Sequence, residues 1–397
     1  MTNKSWRLLF VDDDSEICER IKEGLDNEVI NGSNERLQVI TLTDFSTALE
    51  ALEERRFDLI ILDVRLGGLN ADAMDEMAGV HTLEAIQRIR FLPIIFYTAA
   101  PHLVHDLASP LIQIVEKTEQ IPGLLAVIQA AFRTRLPIVN RALIQHVESI
   151  QCSYMWNFVA ENWEQLGNTP DHGGLAYLLA RRLAKSLSGS GLRELVEELG
   201  YSPDGVVTSE NTIHPMEYYI LPPVNKDLLA GDIYLGKAEG QEGYWIGLTP
   251  SCDLVPRKIK GSGEMKPKAE YLLLARCLLL EQQEEYKNWR ADPKKRSALE
   301  NLMRNRRDKS QSERFYFLPG VLNLPDLVVD FQQSIVLPHE DASDGRIERL
   351  ASLDSPFAEA LLAQFSKFFG RLGTPDLDVE AVIGRFPFTM PELNEAE

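Results

Sequence analysis

Phe57-Asp58-Leu59-Ile60-Ile61-Leu62-Asp63 decides the fold of the first third of the chain. The run is apolar, β-branched in its middle, and stops abruptly at a carboxylate. An apolar run of that length between polar residues is the pattern of a strand buried on both faces of a parallel sheet. In open α/β sheets the chemistry lies just beyond the carboxyl ends of the strands, which places Asp63 on the rim of a crevice. The neighbouring strands decide what shares that rim.

Working outward, Trp6–Val11 is a strand pattern that runs straight into Asp12-Asp13-Asp14. A helix follows with Ile17, Ile21 and Leu25 at helical spacing, and Asp14 and Ser15 compete to cap it. Leu37–Leu42 is a second strand and Phe45–Arg55 a helix with Ala48, Leu49 and Leu52 on one face. Beyond Asp63, Leu83–Arg90 is helical, Leu92–Thr98 a fourth strand and Ile112–Lys117 a fifth. Only a weak helical signal separates those two strands, and Gly123–Arg133 supplies a closing helix. Strand and helix alternate through five strands, which predicts a doubly wound parallel sheet with right-handed crossovers.

The strand ends deliver an acidic cluster after strand one, Asp63 after strand three, Thr98 at strand four and Lys117 at strand five. Three carboxylates in one crevice repel one another unless a hard cation joins them, and Mg²⁺ suits oxygen ligands. An ammonium and a hydroxyl are what a phosphoryl group on Asp63 needs for charge and hydrogen bonding. A carboxylate is itself a competent nucleophile, giving an acyl phosphate.

Over residues 5–135 the sequence resembles the receiver domain of two-component response regulators. The resemblance implies a flavodoxin-like (βα)5 domain with Asp12 and Asp13 as the acidic pair and Asp63 as phosphoacceptor. It also implies Thr98 as switch hydroxyl and Lys117 as the family's active-site lysine. Mg²⁺ follows as cofactor, with Asp13 and Asp63 ligating directly, Asp12 acting mainly through water, and the backbone carbonyl of Arg65 as a further ligand. A histidine kinase or related ATPase-type sensor follows as partner, in a bacterial cytoplasm. Three positions depart from the family. Gly79 stands 16 positions after Asp63, farther than usual, leaving an enlarged acidic loop within Gly67–Met77. Thr118 follows the lysine where a cis-proline is usual, and Ile114 holds the place of the switch aromatic.

At 397 residues the chain is long enough for two or three domains. A net charge of -19 argues against broad binding to nucleic-acid phosphates. The apolar windows are too short for a membrane span, and Met1–Ser5 lacks the core of a signal peptide. Cys18, Cys152, Cys252 and Cys277 are far apart and form no metal-type pair, so free, mostly buried thiols in a reducing compartment are expected.

Residues 1–135 thus read as the receiver, 136–212 as a helical linker and 213–397 as an α+β output domain. Leu136-Pro137 marks the first boundary, Val139–Leu166 reads as one long helix and Leu175–Leu187 as a second. The apolar stripe of the linker either pairs two copies in a homodimer or packs on an adjacent domain; the sequence leaves both open. Leu192–Tyr201 is acidic and precedes no basic recognition helix, which argues against sequence-specific DNA binding.

From residue 213 short strands separated by Gly and Pro suggest a small β-barrel. Its Gly-Asp-Ile strand (Gly231–Ile233) resembles the barrels of MazF/PemK-type toxins. Lys266–Trp289 reads as a long helix, and Ser355 as the cap of a later one with Pro356 at its first position. Cys252-Asp253 reads either as a nucleophile, with His172, His214 or His339 as base, or as a small buried thiol. The basic stretch Lys294–Lys309 is either a docking face for RNA or an acidic protein or a solvated helical face. The expected function is a response regulator with a non-DNA-binding output half. A phosphorylation-gated hydrolase of RNA or nucleotides and an interaction adaptor are the alternatives.

Overall fold

A computed structural model describes residues 5–30, 35–64, 78–163, 173–188, 213–259, 263–307, 313–371 and 377–386, with Gly191, Val196, Leu199 and Gly261 between them. The chain divides into two compact units, Met1–Val207 and Thr208–Glu397.

Unit 1 is built on a parallel sheet of β1 (Ser5–Val11), β2 (Arg36–Leu42), β3 (Leu59–Leu62), β4 (Ile94–Thr98) and β5 (Ile112–Glu116). Its order is β2-β1-β3-β4-β5, so the strand order reverses between β1 and β3. The helices are α1 (Ser15–Leu25), α2 (Phe45–Glu54), α3 (Ala78–Ile89) and α4 (Gln120–Arg133). Alternate residues of β1 enter opposite cores. Leu8 and Phe10 pack with Ile21, Leu124 and Ile128, whereas Leu9 and Val11 pack with Phe45, Leu52 and Leu83. Burial on both faces is why β3 reads as an unbroken Leu-Ile-Ile-Leu. The Asp14 carboxylate accepts from the N–H groups of Glu16 and Ile17, so Asp14 rather than Ser15 caps α1.

Between β4 and β5 the weak helical signal resolves into two 3-10 turns, Pro101–Leu103 and His105–Leu107. Pro101 stands at the first position of the first turn, and Pro110 follows the second. Val104 plugs into the core between the turns.

After one left-handed residue, Arg135 (φ 63), the chain folds into α5 (Leu136–Tyr154). The single helix expected over 139–166 therefore starts earlier, and it passes into a π turn over Met155–Val159. A second helix, α6, spans Gly173–Ser186. Its predecessor is pinned to the sheet's amino edge by Arg141. That guanidinium donates to Asp58 Oδ1 (2.9 Å) and Oδ2 (2.5 Å), to Glu35 Oε2 (2.8 Å) and to the Ser5 carbonyl (3.0 Å). It also stacks on the Trp6 ring at 3.4 Å.

Unit 2 carries an antiparallel seven-stranded sheet. Its strands are β6 (Tyr219–Ile220), β7 (Asp232–Ala238), β8 (Gln241–Gly247), β11 (Tyr271–Leu279), β12 (Phe315–Leu318), β13 (Leu327–Pro338) and β14 (Ile347–Leu353). They run in the order β12-β13-β11-β8-β7-β14-β6, while β9 (Arg257–Lys258) and β10 (Met265–Lys266) form a separate hairpin. Irregular register at Ala275/Arg276 and Arg349/Ala351 bends the sheet. The end strands β12 and β6 share no ladder among the described residues. Instead, the Tyr219 hydroxyl donates to the Pro319 carbonyl at 2.7 Å, so a side chain rather than a backbone ladder links the two ends of the sheet.

In place of the helix expected over Lys266–Trp289 the chain forms β11, a 3-10 turn and only then α7 (Glu284–Ala291). Leu272 and Leu274 face one core and Ala275 and Cys277 the other, so burial on both faces erases the alternation that marks a strand. A further helix, α8, spans Arg296–Met303, and α9 (Phe357–Phe369) lays Leu361 and Phe368 over Ile233, Val329 and Phe331. Ser355 does not cap α9. The Asp354 carboxylate takes the Ser355 N–H, the Asp354 carbonyl takes those of Phe357 and Ala358, and Pro356 stands before the first helical residue.

Candidate functional site

β1 and β3 end side by side at the point where the strand order reverses, and the residue after each is an aspartate. Asp12 is fully buried and Asp63 is 7% exposed. With Asp13 they offer three carboxylate oxygens within 4.8 Å of one another. From β5 the Lys117 ammonium reaches across to Asp12 Oδ2 at 2.7 Å and Asp63 Oδ2 at 2.8 Å. Asp63 Oδ1 accepts from the Val64 N–H at 2.7 Å and Asp12 Oδ1 from that of Asp14 at 3.1 Å. Thr98 is buried at the end of β4, its hydroxyl oxygen accepting from the Ala100 N–H at 3.1 Å.

Three carboxylates against one ammonium leave the crevice with an excess of negative charge. Burial raises the Asp12 carboxyl above its ordinary range, and the hydrogen bond and attraction of Lys117 do not undo this. For Lys117 burial works against the charged form, yet the hydrogen bonds and charges of Asp12 and Asp63 prevail and hold it above its ordinary value. Beneath them the Cys18 thiol donates to the Asp12 carbonyl at 3.3 Å. Burial and the Asp12 charge push that thiol up to about 11. Hard oxygen donors converging with a charge excess fit a divalent cation such as Mg²⁺.

The structure therefore brings Asp12, Asp13, Asp63 and Lys117 together and sets Thr98 at the adjoining strand end. Arg65 and the loop Gly67–Met77 lie outside the described residues. Ile114, at the place of the usual aromatic, packs against the core on the α2/α3 side. The aromatic near the site is Tyr97, 1% exposed, whose hydroxyl approaches the Lys117 carbonyl at 3.4 Å. It sits directly before Thr98, a signal that sequence reading passed over.

Residues 8–129 match the model of the response regulator receiver domain. The N-terminal region is a receiver domain. Among solved structures, a CheY-like receiver from Methanospirillum hungatei JF-1 aligns over 32% of this chain and 92% of its own, at 18% identity and a TM-score of 0.24. A sensor protein from Polaromonas sp. JS666 aligns over 33% and 95%, at 20% identity and 0.25. Full-length FixJ from B. japonicum aligns over 50% and 98%, at 19% identity and 0.28. No curated protein matches the chain.

The other candidates in the sequence fare differently. Cys252 is exposed rather than buried, because the helical turn Ser251–Leu254 turns only Leu254 inward. Cys152 is exposed as well, so only Cys18 and Cys277 meet the expectation of buried thiols. The Cys252 thiol donates to Asp253 Oδ1 at 3.8 Å, and that carboxylate is itself paired with Lys268 at 3.0 Å. Thr249 and Ser251 beside it accept backbone N–H groups of Leu273 and Ala230. His214 Nδ1 accepts the Met216 N–H as part of a capping box, and His172 lies outside the described residues.

In the basic stretch, Arg296 pairs with Glu300 at 2.6 Å. Arg307 is bound to Glu285 at 2.6 Å and lies over the Phe315 ring at 4.1 Å. Lys309 and nearly all of Leu192–Tyr201 lie outside the described residues. No described helix is long and apolar enough to cross a membrane.

Proposed function

We propose that this chain is a two-component response regulator in which Asp63 accepts a phosphoryl group and thereby switches the C-terminal half. The observation that carries this is the Lys117 ammonium held on Asp12 and Asp63 within a cluster of three converging carboxylates. Asp12, Asp13 and Asp63 would hold Mg²⁺, joined by the Arg65 carbonyl as the resemblance implies. The bound ion supplies positive charge that lets a phosphate approach three acids. An Asp63 carboxylate oxygen forms the new P–O bond while the donor's bond to phosphorus breaks, its electron pair leaving with the donor group. Lys117, already at Asp63 Oδ2, moves to the incoming phosphoryl oxygens, and the Thr98 hydroxyl gives up the Ala100 N–H to donate to them. A histidine kinase or related sensor serves as donor, residues 136–212 form the linker, and residues 213–397 form the output module.

Incubation of the full chain with acetyl phosphate and Mg²⁺, read by intact mass, is expected to add one phosphoryl group. The addition should vanish in Asp63→Asn and on chelation. A label that persists in Asp63→Asn overturns the assignment.

A further inference from the structure

Lys117 also lines a cavity of about 500 Å³ that opens between α1 and the start of α4. That volume falls within the range of small-molecule sites. Arg20, Thr118 and Gln120 line it with donors, and Tyr97, Ile121 and Pro122 supply an apolar wall. The Arg20 side chain is exposed and, among the described residues, makes no hydrogen bond or ion pair. Gln120 adopts φ 58, ψ -167, a conformation rare for residues with a side chain, and this is where the chain turns around the cavity mouth. Next to Gln120 in the chain is an acid, Glu119, whose carboxylate lies over Gly123 in the first turn of α4.

We infer that this cavity binds a small phosphate monoester, distinct from any phosphoryl group carried on Asp63. A guanidinium fork takes two oxygens of a phosphate, and the Thr118 hydroxyl and Gln120 amide offer donors for the third; a carboxylate has only two oxygens to give. The Tyr97 ring, Ile121 and Pro122 then face the apolar body of the ester. Lys117 belongs to both places: its ammonium is held in the acid cluster, its carbonyl lies against Tyr97, and it lines the cavity, so the occupied cavity adjoins the acceptor.

The test uses the full chain in EDTA with phenyl phosphate, phenol and benzoate as probes, binding followed by calorimetry and located by amide shifts at Gln120 and Ile121. Phenyl phosphate is expected to saturate in the millimolar range, benzoate to bind more weakly and phenol not at all. Arg20→Ala, a substitution at an unpartnered surface side chain, should weaken binding about tenfold. Glu119→Gln should tighten it a few-fold, and in Asp63→Asn binding should still saturate and still depend on Arg20. Absence of saturable phenyl phosphate binding, indifference to Arg20→Ala, or equal binding of benzoate would overturn the inference. The Asp63→Asn arm separates this site from the phosphoacceptor, so either can fail without the other.

Discussion

Buried aspartates occur in both units, and the two sets are treated oppositely. In unit 2 each has its own complement. Asp232 is fully buried; it accepts from Ser352 at 2.5 Å, the Leu229 N–H at 2.8 Å and Arg349 at 3.1 Å. Asp330 receives Arg314 through two hydrogen bonds (2.7 and 2.6 Å), and Gln333 at 2.8 Å. Burial alone would raise the Asp330 carboxyl, but these donors bring it below its ordinary value. In unit 1 Asp12 moves the other way, because burial raises it and one ammonium, shared with Asp63, does not offset that. Matched charge marks architecture; excess charge at a strand end fits a site for a cation.

The largest expected effect breaks a match. Arg349→Met leaves Asp232 buried without a cation and frees the carbonyls of Asn225 and Asp227 that the guanidinium also holds. A loss of about 3 kcal/mol is expected, from the cost of stranding a buried charge. Hydrogen exchange of β7 and β14 peptides in the full chain would report it, with β1 and β3 peptides unchanged. Equal protection in β7 would mean that Asp232 is not held by charge.

Unit 1 also contains a matched network, at the edge opposite the acids. There Arg141 satisfies Asp58 and Glu35, with side-chain exposures of 17%, 14% and 25%. Partial exposure lessens the value of the pairs, so Arg141→Ala should cost about 2 kcal/mol, part of it from lost stacking on Trp6. Faster exchange in α5 would show it. If instead the acid cluster lost its affinity for Mg²⁺, the two edges would not be independent.

These examples also show what was legible in the sequence. β1, β3 and the residues that follow them follow from local patterns, so Asp12, Asp63 and Lys117 could be placed from the strand ends alone. Arg141 could not. Its partners lie 83, 106 and 136 residues away, and its helix begins at a Leu-Pro pair that reads as a boundary between domains. Arg349 and Asp232 are 117 residues apart and equally silent. β11 misled for another reason: a leucine-rich run with both faces covered carries the helix-forming residues and lacks the alternation. In the β4–β5 connection, where the helical signal was weak, the weakness was itself the information.

The smallest effect is the sharpest test of the contrast, because its sign differs between the units. In metal-free buffer at pH 7, Asp12→Asn should stabilise unit 1 by about 1 kcal/mol, since it removes a buried charge whose own pKa lies above the ordinary range. A carboxyl with a raised folded value contributes stability below its unfolded value, near 3.8, and loses it as the pH rises through the folded value. At pH 7 wild type therefore carries the penalty that the variant escapes, and the advantage of Asp12→Asn should fade on acidification as Asp12 itself protonates. Asp330→Asn should behave inversely. Its carboxyl is lowered, so its contribution is present above 3.8 and is lost as the pH falls through the folded value; the variant should be destabilised at pH 7 and converge on wild type in acid. Mg²⁺ separates the two further, stabilising wild-type unit 1 by binding only the folded acids and doing less for Asp12→Asn. If both variants destabilised their units at pH 7, Asp12 would be a structural acid like Asp330, and the charge excess at the receiver's strand ends would not be a poised metal site.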